Sequence, residues 1–438
     1  MGGRPAPRLA AARRAALKLF AECRRREARA RDVLRDSAAV AALDPRDRAL
    51  ATRLVLGTVV ARGELDRVVT SHLKARSKLE PLVRDALRIA AFELLYLDTP
   101  DEVAVSQGVE LVRFASRRAA GLANAVLRRV AEEDEPALAD ARARLDSGAF
   151  EVVDLQRVGG LPTWLARRVL ADRGAADAAA YAHRALEPAG PAVAANLAKR
   201  GADECSDLLS QAGCEPVAGP VRGSFVLGRQ AALAGSGLVG SCDVLPCDLA
   251  AQSVVADVLA FAGPGPRVLE VGQGRGTKSV LLAAGASSLV SVEVDPHKSE
   301  LAARRMAAAG VADRVECVCD DGRSLGKVEG EFDLVFVDAP CSGTGTLSRH
   351  PEIAWSLKEA SIEELAGLQL QILRTSARRV APGGSLAYST CSVLRTEDED
   401  AVAAFLASGE GVGFTLASEG LTDQPNSDRH FLALLRRG

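Results

Sequence analysis

The chain has 438 residues, 48% of them hydrophobic, and a formal net charge of −2. This length predicts two to three domains of roughly 150 residues each, and the near-neutral charge excludes a global positive field that would draw the whole protein to nucleic acid. Nine cysteines without a CxxC spacing argue against a disulfide framework or a zinc site, so we predict a metal-free protein of the reducing cytoplasm. The sequence shows neither the apolar core of a signal peptide nor a run of ~20 apolar residues, so no membrane span is expected.

Helical periodicity dominates residues 4–133, where apolar residues recur three and four positions apart. We therefore predict an all-α bundle over residues 1–135. Its first 35 residues hold eleven Arg and Lys against three acids. This local basic stretch fits a solvated helix face and an RNA contact equally well. The acidic stretch Glu132–Pro136 is predicted to be a linker.

Residues 140–245 carry weaker patterns. A helix is predicted to start within Leu161–Leu165, and short strand-like runs follow at Ala192–Leu197 and Ser224–Leu227, with Gly and Pro between them. This mixture predicts a small α+β module that links the bundle to the rest of the chain.

Strands and helices alternate from about Leu249 onward. Such alternation predicts a doubly wound, mostly parallel, Rossmann-like sheet over residues 246–438. A helix is predicted over Ile362–Val380, ended by the Pro-Gly-Gly turn that follows it. The predicted strands are Arg267–Val271, Leu289–Val294, Val315–Cys319, Phe332–Asp338, Ser385–Thr390 and His430–Leu435.

A glycine-rich loop follows the first of these strands. Gly272, Gly274 and Gly276 let the backbone turn tightly and approach a ligand closely. Glu293 ends the next strand, where a carboxylate can accept hydrogen bonds from both hydroxyls of a ribose, and Asp321 follows the third strand, where it can accept one from an adenine amino group. The GxGxG spacing, in place of GxGxxG, favours S-adenosylmethionine over NAD as the cofactor.

Two cysteines follow the fourth and fifth strands. Cys341 ends an Asp-Ala-Pro-Cys motif that begins at Asp338, and Cys391 ends a Ser-Thr-Cys motif. Because the carboxyl ends of parallel strands meet at one edge of a sheet, both thiols should lie there together. A thiolate at Cys391 could add to C6 of a cytosine and make C5 nucleophilic. Cys341 could then be, or assist, the base that removes the C5 proton, and Asp338 could hydrogen-bond to ring N3.

These motifs resemble the RNA 5-methylcytosine methyltransferase family, most closely its bacterial 16S rRNA cytosine-C5 branch, called RsmB, Sun or Fmu. The N-terminal stretches are similar to the NusB-like helical domain of that branch. The similar stretches are Leu87–Tyr96, Asn124–Arg129, Asp338–Gly343, Arg349–Trp355 and Tyr388–Leu394. The resemblance implies transfer of a methyl group from S-adenosylmethionine to C5 of a cytosine in RNA, with 16S rRNA as the expected substrate.

The resemblance also implies roles for individual residues. Cys391 corresponds to the nucleophile and Cys341 to the cysteine that assists product release. Glu293 and Asp321 match the family's cofactor acids, and Asp338 matches the acid of its Asp-Ala-Pro-Cys motif.

Two stretches depart from the family pattern. Lys278 matches the lysine that ends the family's glycine loop, but the loop itself, Glu270–Ser279, is nearer to the generic methyltransferase loop than to the usual Asp-x-Cys-Ala-Ala-Pro-Gly-Gly-Lys-Thr. Ala194–Asn196 stands where the family usually has Arg-x-Asn. These departures concern the cofactor contacts and an RNA-contacting arginine, and leave the cysteine chemistry intact.

Other functions stay open on the residues alone. A non-catalytic RNA-binding or antitermination protein, the main alternative, would use the helical domain but would need neither thiol. An NAD-dependent oxidoreductase would need a Tyr-x-x-x-Lys or His–Asp arrangement, which is not evident in the sequence. An amino-methylating enzyme would present a polar-Pro-Pro-aromatic loop where this chain has Asp338–Cys341. We expect a monomer that binds RNA.

Overall fold

The computed structural model describes residues 9–26, 28–74 and 78–438. The chain divides into two units. One comprises the chain up to Pro188 together with Leu347–Glu359, and the other comprises Ala189–Thr346 together with Ala360–Gly438. The chain therefore passes between the units three times.

The first unit is built from helices throughout its described residues. Its N-terminal helices are α1 (Ala11–Arg26), α2 (Ala30–Arg35), α3 (Ala38–Ala41), α4 (Pro45–Val60), α5 (Arg62–Ser71), α6 (Pro81–Tyr96), α7 (Asp101–Ala115), α8 (Ala120–Arg129), α9 (Glu135–Ser147), α10 (Val152–Gly159) and α11 (Thr163–Ala185), which breaks at Gly174. A π-helical turn, Val130–Asp134, joins α8 to α9, so the linker predicted at Glu132–Pro136 is wrong. Glutamate favours helix and proline is tolerated in a first helical turn, which lets the chain stay helical there.

Helix α6 supplies much of the core of this unit, because every residue from Asp85 to Leu95 is buried. The Phe92 ring packs where Gly57 of α4 has no side chain, since a Cβ there would lie 1.9 Å from the ring. Glu93 is buried and accepts a hydrogen bond of 2.7 Å from Arg13 of α1. Arg13, part of the predicted basic stretch, is therefore held in an internal ion pair, which a buried carboxylate requires.

The second unit begins with a four-stranded antiparallel sheet of order β2-β3-β1-β4. Its strands are β1 (Ala192–Ala195), β2 (Pro216–Ala218), β3 (Ser224–Leu227) and β4 (Val244–Pro246). Residues 140–245, predicted as one α+β module, thus hold helices of the first unit and this small sheet of the second. The division into residues 1–135, 140–245 and 246–438 stays a prediction.

A seven-stranded sheet of order β10-β11-β9-β8-β5-β6-β7 forms the rest of the second unit. Its strands are β5 (Arg267–Val271), β6 (Ser288–Glu293), β7 (Val315–Cys319), β8 (Phe332–Asp338), β9 (Val380–Thr390), β10 (Phe414–Leu421) and β11 (Phe431–Arg437). Strands β5 to β9 run parallel, whereas β11 is antiparallel to β9 and β10 to β11. The predicted fold class, an all-α bundle followed by a mostly parallel Rossmann-like sheet, is confirmed.

Helices cover this sheet and bury apolar residues against both of its faces. The later helices of the chain are α12 (Ala202–Gln211), α13 (Leu249–Ala262), α14 (Thr277–Ala283), α15 (Pro296–Ala308), α16 (Ile353–Ser356), α17 (Ala360–Ala377) and α18 (Glu399–Leu406), of which α16 belongs to the first unit. None of the helices that the structure describes is long and apolar enough to cross a membrane.

Several boundaries differ from the sequence prediction. Strand β6 is Ser288–Glu293 instead of Leu289–Val294, β11 is Phe431–Arg437 instead of His430–Leu435, and the largest difference lies at β9. Strand β9 begins at Val380 instead of Ser385, so the helix predicted through Val380 ends at Ala377. The pairing of β8 with β9 shifts register between Phe332 and Leu334, which accommodates the Pro-Gly-Gly stretch inside the strand. Strand β10 was not predicted, because six consecutive residues in it are exposed and give no alternating pattern.

Trp355 of α16 packs within the first unit. Its indole Nε1 donates a 2.6 Å hydrogen bond to the carbonyl oxygen of Val60. Its ring occupies the space beside Gly63, where a Cβ would lie 1.9 Å from the ring. Trp355 is therefore a packing residue of the helical unit.

Candidate active site at the carboxyl edge of the sheet

A cavity of about 530 Å³ opens at the carboxyl ends of the parallel strands. The turns after β5, β6, β7 and β8 line it, as expected for a ligand site in an open α/β sheet. Five of the predicted site residues lie on its wall, namely Gly272, Gly274, Glu293, Asp321 and Asp338.

The glycine loop after β5 needs its glycines for different reasons. Gly272 has a φ of +100°, and a Cβ on it would lie 2.1 Å from the carbonyl oxygen of Asp338. Gly274 has a φ of +58° and a Cβ on it would meet nothing within 4 Å, so its backbone faces open space. Gly276 does not line the cavity and instead lies against Met306 of α15. The glycine loop thus packs against both β8 and α15.

Two acids line the cavity at the ends of the next strands. Glu293 is buried, and its carboxylate accepts hydrogen bonds from the Gly274 N–H (2.8 Å) and the Asp295 N–H (3.0 Å). Asp321 is half-buried and accepts from Arg323 Nε at 2.9 Å. The hydrogen bonds from Arg323 lower the pKa of Asp321, so this carboxylate is ionised. Both groups are acceptors that point into the same cavity.

Lys278 and Asp338 form an ion pair beside the cavity. Lys278 Nζ lies 2.6 Å from Asp338 Oδ1, and the side chain of the lysine is only 12% exposed. Burial alone would lower the pKa of Lys278, but the neighbouring Asp338 outweighs it and raises the pKa overall. Cys391 also contributes to this rise. Lys278 therefore stays positively charged beside Asp338, the first residue of the Asp-Ala-Pro-Cys motif.

The two predicted cysteines converge. Cys341 Sγ and Cys391 Sγ are 3.1 Å apart, and the backbone N–H of Cys391 donates to Cys341 Sγ at 3.2 Å. The hydrogen bond with Cys391, together with burial, raises the pKa of Cys341 well above its ordinary value. Cys341 is therefore a protonated thiol that can hydrogen-bond to the second sulfur.

A buried carboxylate that the sequence analysis missed lies behind the cysteines. Glu397 is fully buried and accepts hydrogen bonds from Ser342 and Ser392, the residues that follow Cys341 and Cys391. The repeated Cys-Ser pair was the available signal, because two buried serine hydroxyls require acceptors.

Glu270 of β5 is a second buried acid. Its Oε2 accepts hydrogen bonds from the hydroxyls of Ser279 (2.6 Å) and Ser291 (2.7 Å). Its Oε1 accepts none from any residue that the structure describes. Burial raises the pKa of Glu270 to about 7, so the group is largely neutral in mildly acidic solution. Glu270 does not line the cavity.

One group of side chains in the second unit has a spacing that could hold a metal ion. The ligand atoms of Asp248, Asp428 and His430 all lie within 4.8 Å of one another, and the three residues are buried. Asp248 already caps α13 and accepts hydrogen bonds from Ala250 and Ser427. The absence of a bound metal stays a prediction.

The cavity fits an adenosine-containing cofactor. Gly274 leaves backbone space that any side chain would fill, and Glu293 and Asp321 provide acceptors for hydroxyl and amino groups. Asn196, in the stretch that replaces Arg-x-Asn, has a structural position, since it is fully buried and donates to the carbonyl oxygens of Cys242 (3.0 Å) and Ala309 (2.9 Å).

Comparison with known proteins gives a consistent family. The model of the family described as 16S rRNA methyltransferase RsmB/F matches residues 262–427, and that of the NusB family matches residues 10–132. The ribosomal RNA small subunit methyltransferase B of Thermus thermophilus is 34% identical over 83% of this chain and 79% of its own length. The protein of the same name from Xanthomonas campestris pv. campestris is 31% identical over 83% of this chain and 80% of its own length.

A solved structure shows the same fold. The crystal structure of PH0851 has a TM-score of 0.73 at 20% identity and covers 100% of both chains. The chain belongs to the RsmB/F family of ribosomal RNA methyltransferases, uses S-adenosylmethionine as its methyl donor and carries a helical region of the NusB family.

Proposed function

We propose that this chain methylates C5 of a cytosine in 16S rRNA through a covalent bond between Cys391 Sγ and C6 of the base. The observation that carries the proposal is the 3.1 Å separation of the Cys341 and Cys391 sulfurs beside the cofactor cavity. Methylation of an exocyclic amine, or binding of RNA alone, would need neither thiol. A ribosomal RNA substrate agrees with the names of the relatives.

In this proposal the cavity wall holds the cofactor. S-adenosylmethionine, when bound, supplies an electrophilic methyl group. The backbone at Gly274 lies against it, because that position leaves room for close approach, and Gly272 lines the same cavity. Glu293 accepts hydrogen bonds from the ribose hydroxyls and Asp321 from the adenine amino group, since carboxylates at these strand ends are suited to both tasks.

Two further predicted site residues, Gly276 and Lys278, hold neighbouring groups in place. Gly276 lets the loop pack against α15, where a Cβ would approach Met306 to 2.7 Å. Lys278 holds Asp338 through their 2.6 Å ion pair. Together this pair offers a hydrogen-bond donor and an acceptor to ring N3 of the cytosine and can neutralise the charge that develops when sulfur adds to the ring.

Cytosine C5 needs activation because the uncharged aromatic ring is a poor nucleophile. The Cys391 thiolate forms a bond to C6, and the electron pair of the C5–C6 double bond moves so that C5 becomes enamine-like and able to accept the methyl group. The adduct must then lose the C5 proton. The electron pair of that C–H bond re-forms the double bond and expels the Cys391 sulfur as a thiolate.

The contacts of Cys341 account for the order of these steps. In the free protein the hydrogen bond with Cys391 is the largest cause that keeps the pKa of Cys341 high. Bond formation turns the Cys391 sulfur into an uncharged thioether, which removes this cause. Cys341 can then give its proton to solvent water and, as a thiolate, accept the one on C5 as a general base.

We also propose that the NusB-family region positions the RNA and takes no part in the chemistry. Arg13 and Arg24 of its basic stretch already pair with Glu93 and Asp85. Contact with RNA phosphates therefore falls to other basic side chains, such as the exposed Lys18. Phosphate contacts make affinity fall with rising salt concentration. We further propose that the protein acts as a monomer in the cytoplasm.

The test compares Cys391→Ala and Cys341→Ala on a 16S rRNA transcript. Cys391→Ala should abolish methylation and give no covalent adduct. Cys341→Ala should form the adduct but fail to resolve it, so a protein–RNA species should accumulate and survive a denaturing gel. Cys319→Ala, which removes a thiol outside the pair, should methylate like the wild type.

Mass spectrometry of the nucleosides identifies the methylated atom. An adduct from Cys391→Ala, with none from Cys341→Ala, would mean that the two roles are reversed. Intact methylation in both variants without any adduct would refute the covalent mechanism, and a methyl group on an exocyclic nitrogen would refute C5 as the target.

A further inference from the structure

The carboxylate of Glu397 joins the two loops that carry the cysteines. Its Oε1 accepts the Ser342 N–H at 2.7 Å and Gln369 Nε2 at 3.2 Å. Its Oε2 accepts the hydroxyls of Ser342 at 2.5 Å and Ser392 at 2.6 Å. A fully buried carboxylate with four donors is a strong anchor, because hydrogen bonds to a charged group are stronger than those between neutral groups.

The donors come from separate parts of the chain. Ser342 follows Cys341 after β8, and Ser392 follows Cys391 after β9. Gln369 of α17 also donates at 2.9 Å to the carbonyl oxygen of Pro340, directly before Cys341. One carboxylate therefore fixes the loop on each side of the sulfur pair.

The backbone of Glu397 is itself held in place. Its carbonyl oxygen accepts a 2.6 Å hydrogen bond from the Tyr388 hydroxyl, and Tyr388 is fully buried in β9. Asp398, the next residue, accepts from the Thr390 hydroxyl at 2.6 Å and so contacts the β9 side. The structure gives Glu397 side-chain contacts to both loops.

We propose that Glu397 is a positioning residue that sets the separation of the Cys341 and Cys391 sulfurs for the reaction. The inference rests on the proposed cysteine mechanism. The separation of the two sulfurs, which the inference explains, is observed independently of that mechanism. Glu397 contacts neither sulfur in the structure and acts through Ser342 and Ser392. Loss of this anchor removes one of the links between the two loops, which remain joined by the 2.8 Å hydrogen bond from the Gly345 N–H to the Cys391 carbonyl oxygen. The sulfurs can then shift, and a misplacement of ~1 Å can lower a rate roughly 100-fold.

The experiment uses the full-length chain with Glu397→Gln, Ser392→Ala and the control Asp400→Asn. Glutamine keeps the shape of the side chain but replaces one acceptor oxygen with a donor. Ser392→Ala removes one of the four hydrogen bonds to Glu397, together with those that the hydroxyl makes with Thr344 Oγ1 and the Leu394 N–H. Asp400 is an exposed acid three residues away and pairs only loosely with Arg395, at 3.5 Å.

Two readouts report on the sulfur pair. The first is the rate at which dibromobimane, a short bis-reactive reagent, bridges the two thiols, measured with Cys319 and the other cysteines as internal references by peptide mass spectrometry. The second is the rate of adduct formation on a 16S rRNA transcript containing 5-fluorocytidine, whose fluorine blocks resolution. Binding of S-adenosylhomocysteine and thermal unfolding show whether the fold and the cofactor site survive.

Glu397→Gln should slow both bridging and adduct formation roughly 10- to 100-fold, with unchanged affinity for S-adenosylhomocysteine. Ser392→Ala should slow both by a smaller factor, and in the double variant the effects should be less than additive because they break the same hydrogen bond. Asp400→Asn should match the wild type. If Glu397→Gln does not fold, Ser392→Ala decides the matter alone.

Bridging and adduct rates equal to those of Asp400→Asn would overturn the proposal. So would a lower unfolding temperature with unchanged rates, because Glu397 would then support only the fold. Failure of the cysteine mechanism looks different, since the wild type itself would give no adduct. In that case the bridging rate still tests whether Glu397 positions the sulfurs.

Discussion

The buried acid Glu270 makes the stability of the second unit depend on pH. Burial raises its pKa from 4.5 to about 7. The folded state therefore holds the proton more tightly than the unfolded state, and the stability linked to this group is fully present below pH 4.5 and is lost as pH rises towards 7. At ~1.4 kcal/mol per pKa unit, the ionised carboxylate costs about 3 kcal/mol above pH 7.

Glu270→Gln removes this titration, and its amide oxygen can still accept from the Ser279 and Ser291 hydroxyls. We expect the variant to be more stable than the wild type at pH 8, by up to about 3 kcal/mol, and the difference to vanish near pH 4.5. Glu316→Gln, which changes an exposed acid on β7, should show no such trend.

Urea unfolding followed by circular dichroism at pH 4.5 to 8.5 measures this difference. Tryptophan fluorescence would not report on unfolding of the second unit, because Trp164 and Trp355 both belong to the helical unit. Hydrogen exchange in β5 and β6 assigns the transition to the second unit. A Glu270→Gln variant that is less stable than the wild type at pH 8, or a difference independent of pH, would refute the reasoning.

Two further predictions concern the cofactor cavity. Gly272→Ala should destabilise the second unit by roughly 2–5 kcal/mol, from backbone strain and the clash with the Asp338 carbonyl. Gly274→Ala should destabilise it by roughly 1–2 kcal/mol, because only the backbone strain applies there. Equal urea midpoints for the two variants would contradict this. Glu293→Ala should weaken S-adenosylhomocysteine binding by about 1.5–3 kcal/mol, or roughly 10- to 150-fold in calorimetry. Glu300→Ala, which changes an exposed acid on α15, should bind S-adenosylhomocysteine with wild-type affinity. An unchanged affinity in Glu293→Ala would exclude Glu293 from the cofactor site.

Much of the sheet could be predicted from the sequence because its strands are short apolar runs with clear ends. β5, β7 and β8 have the predicted bounds. The choice of S-adenosylmethionine over NAD, made from the GxGxG spacing and two strand-end acids, is confirmed by the family. The convergence of Cys341 and Cys391 followed from strand order, since residues after adjacent parallel strands must meet at one edge.

The features that the sequence did not reveal depend on contacts between distant segments. Glu397 lies 55 residues from Ser342, and no local pattern connects them. The Lys278–Asp338 pair joins residues 60 apart, and although each residue was named separately, their pairing was not predicted. Strand β10 is mostly exposed, so it lacks the apolar alternation that identifies a half-buried strand.

The segment Leu347–Glu359 has a consequence for how the protein is made. The helical unit lacks this piece until the ribosome has also synthesised residues 189–346, which takes roughly ten to thirty seconds at bacterial-type elongation rates of ~5–20 residues per second. During that interval the carbonyl of Val60 and the surface beside Gly63 remain open to water. Conversely, a truncated protein that begins after Pro188 would expose the indole ring of Trp355, and such a fragment should aggregate more readily than the full chain.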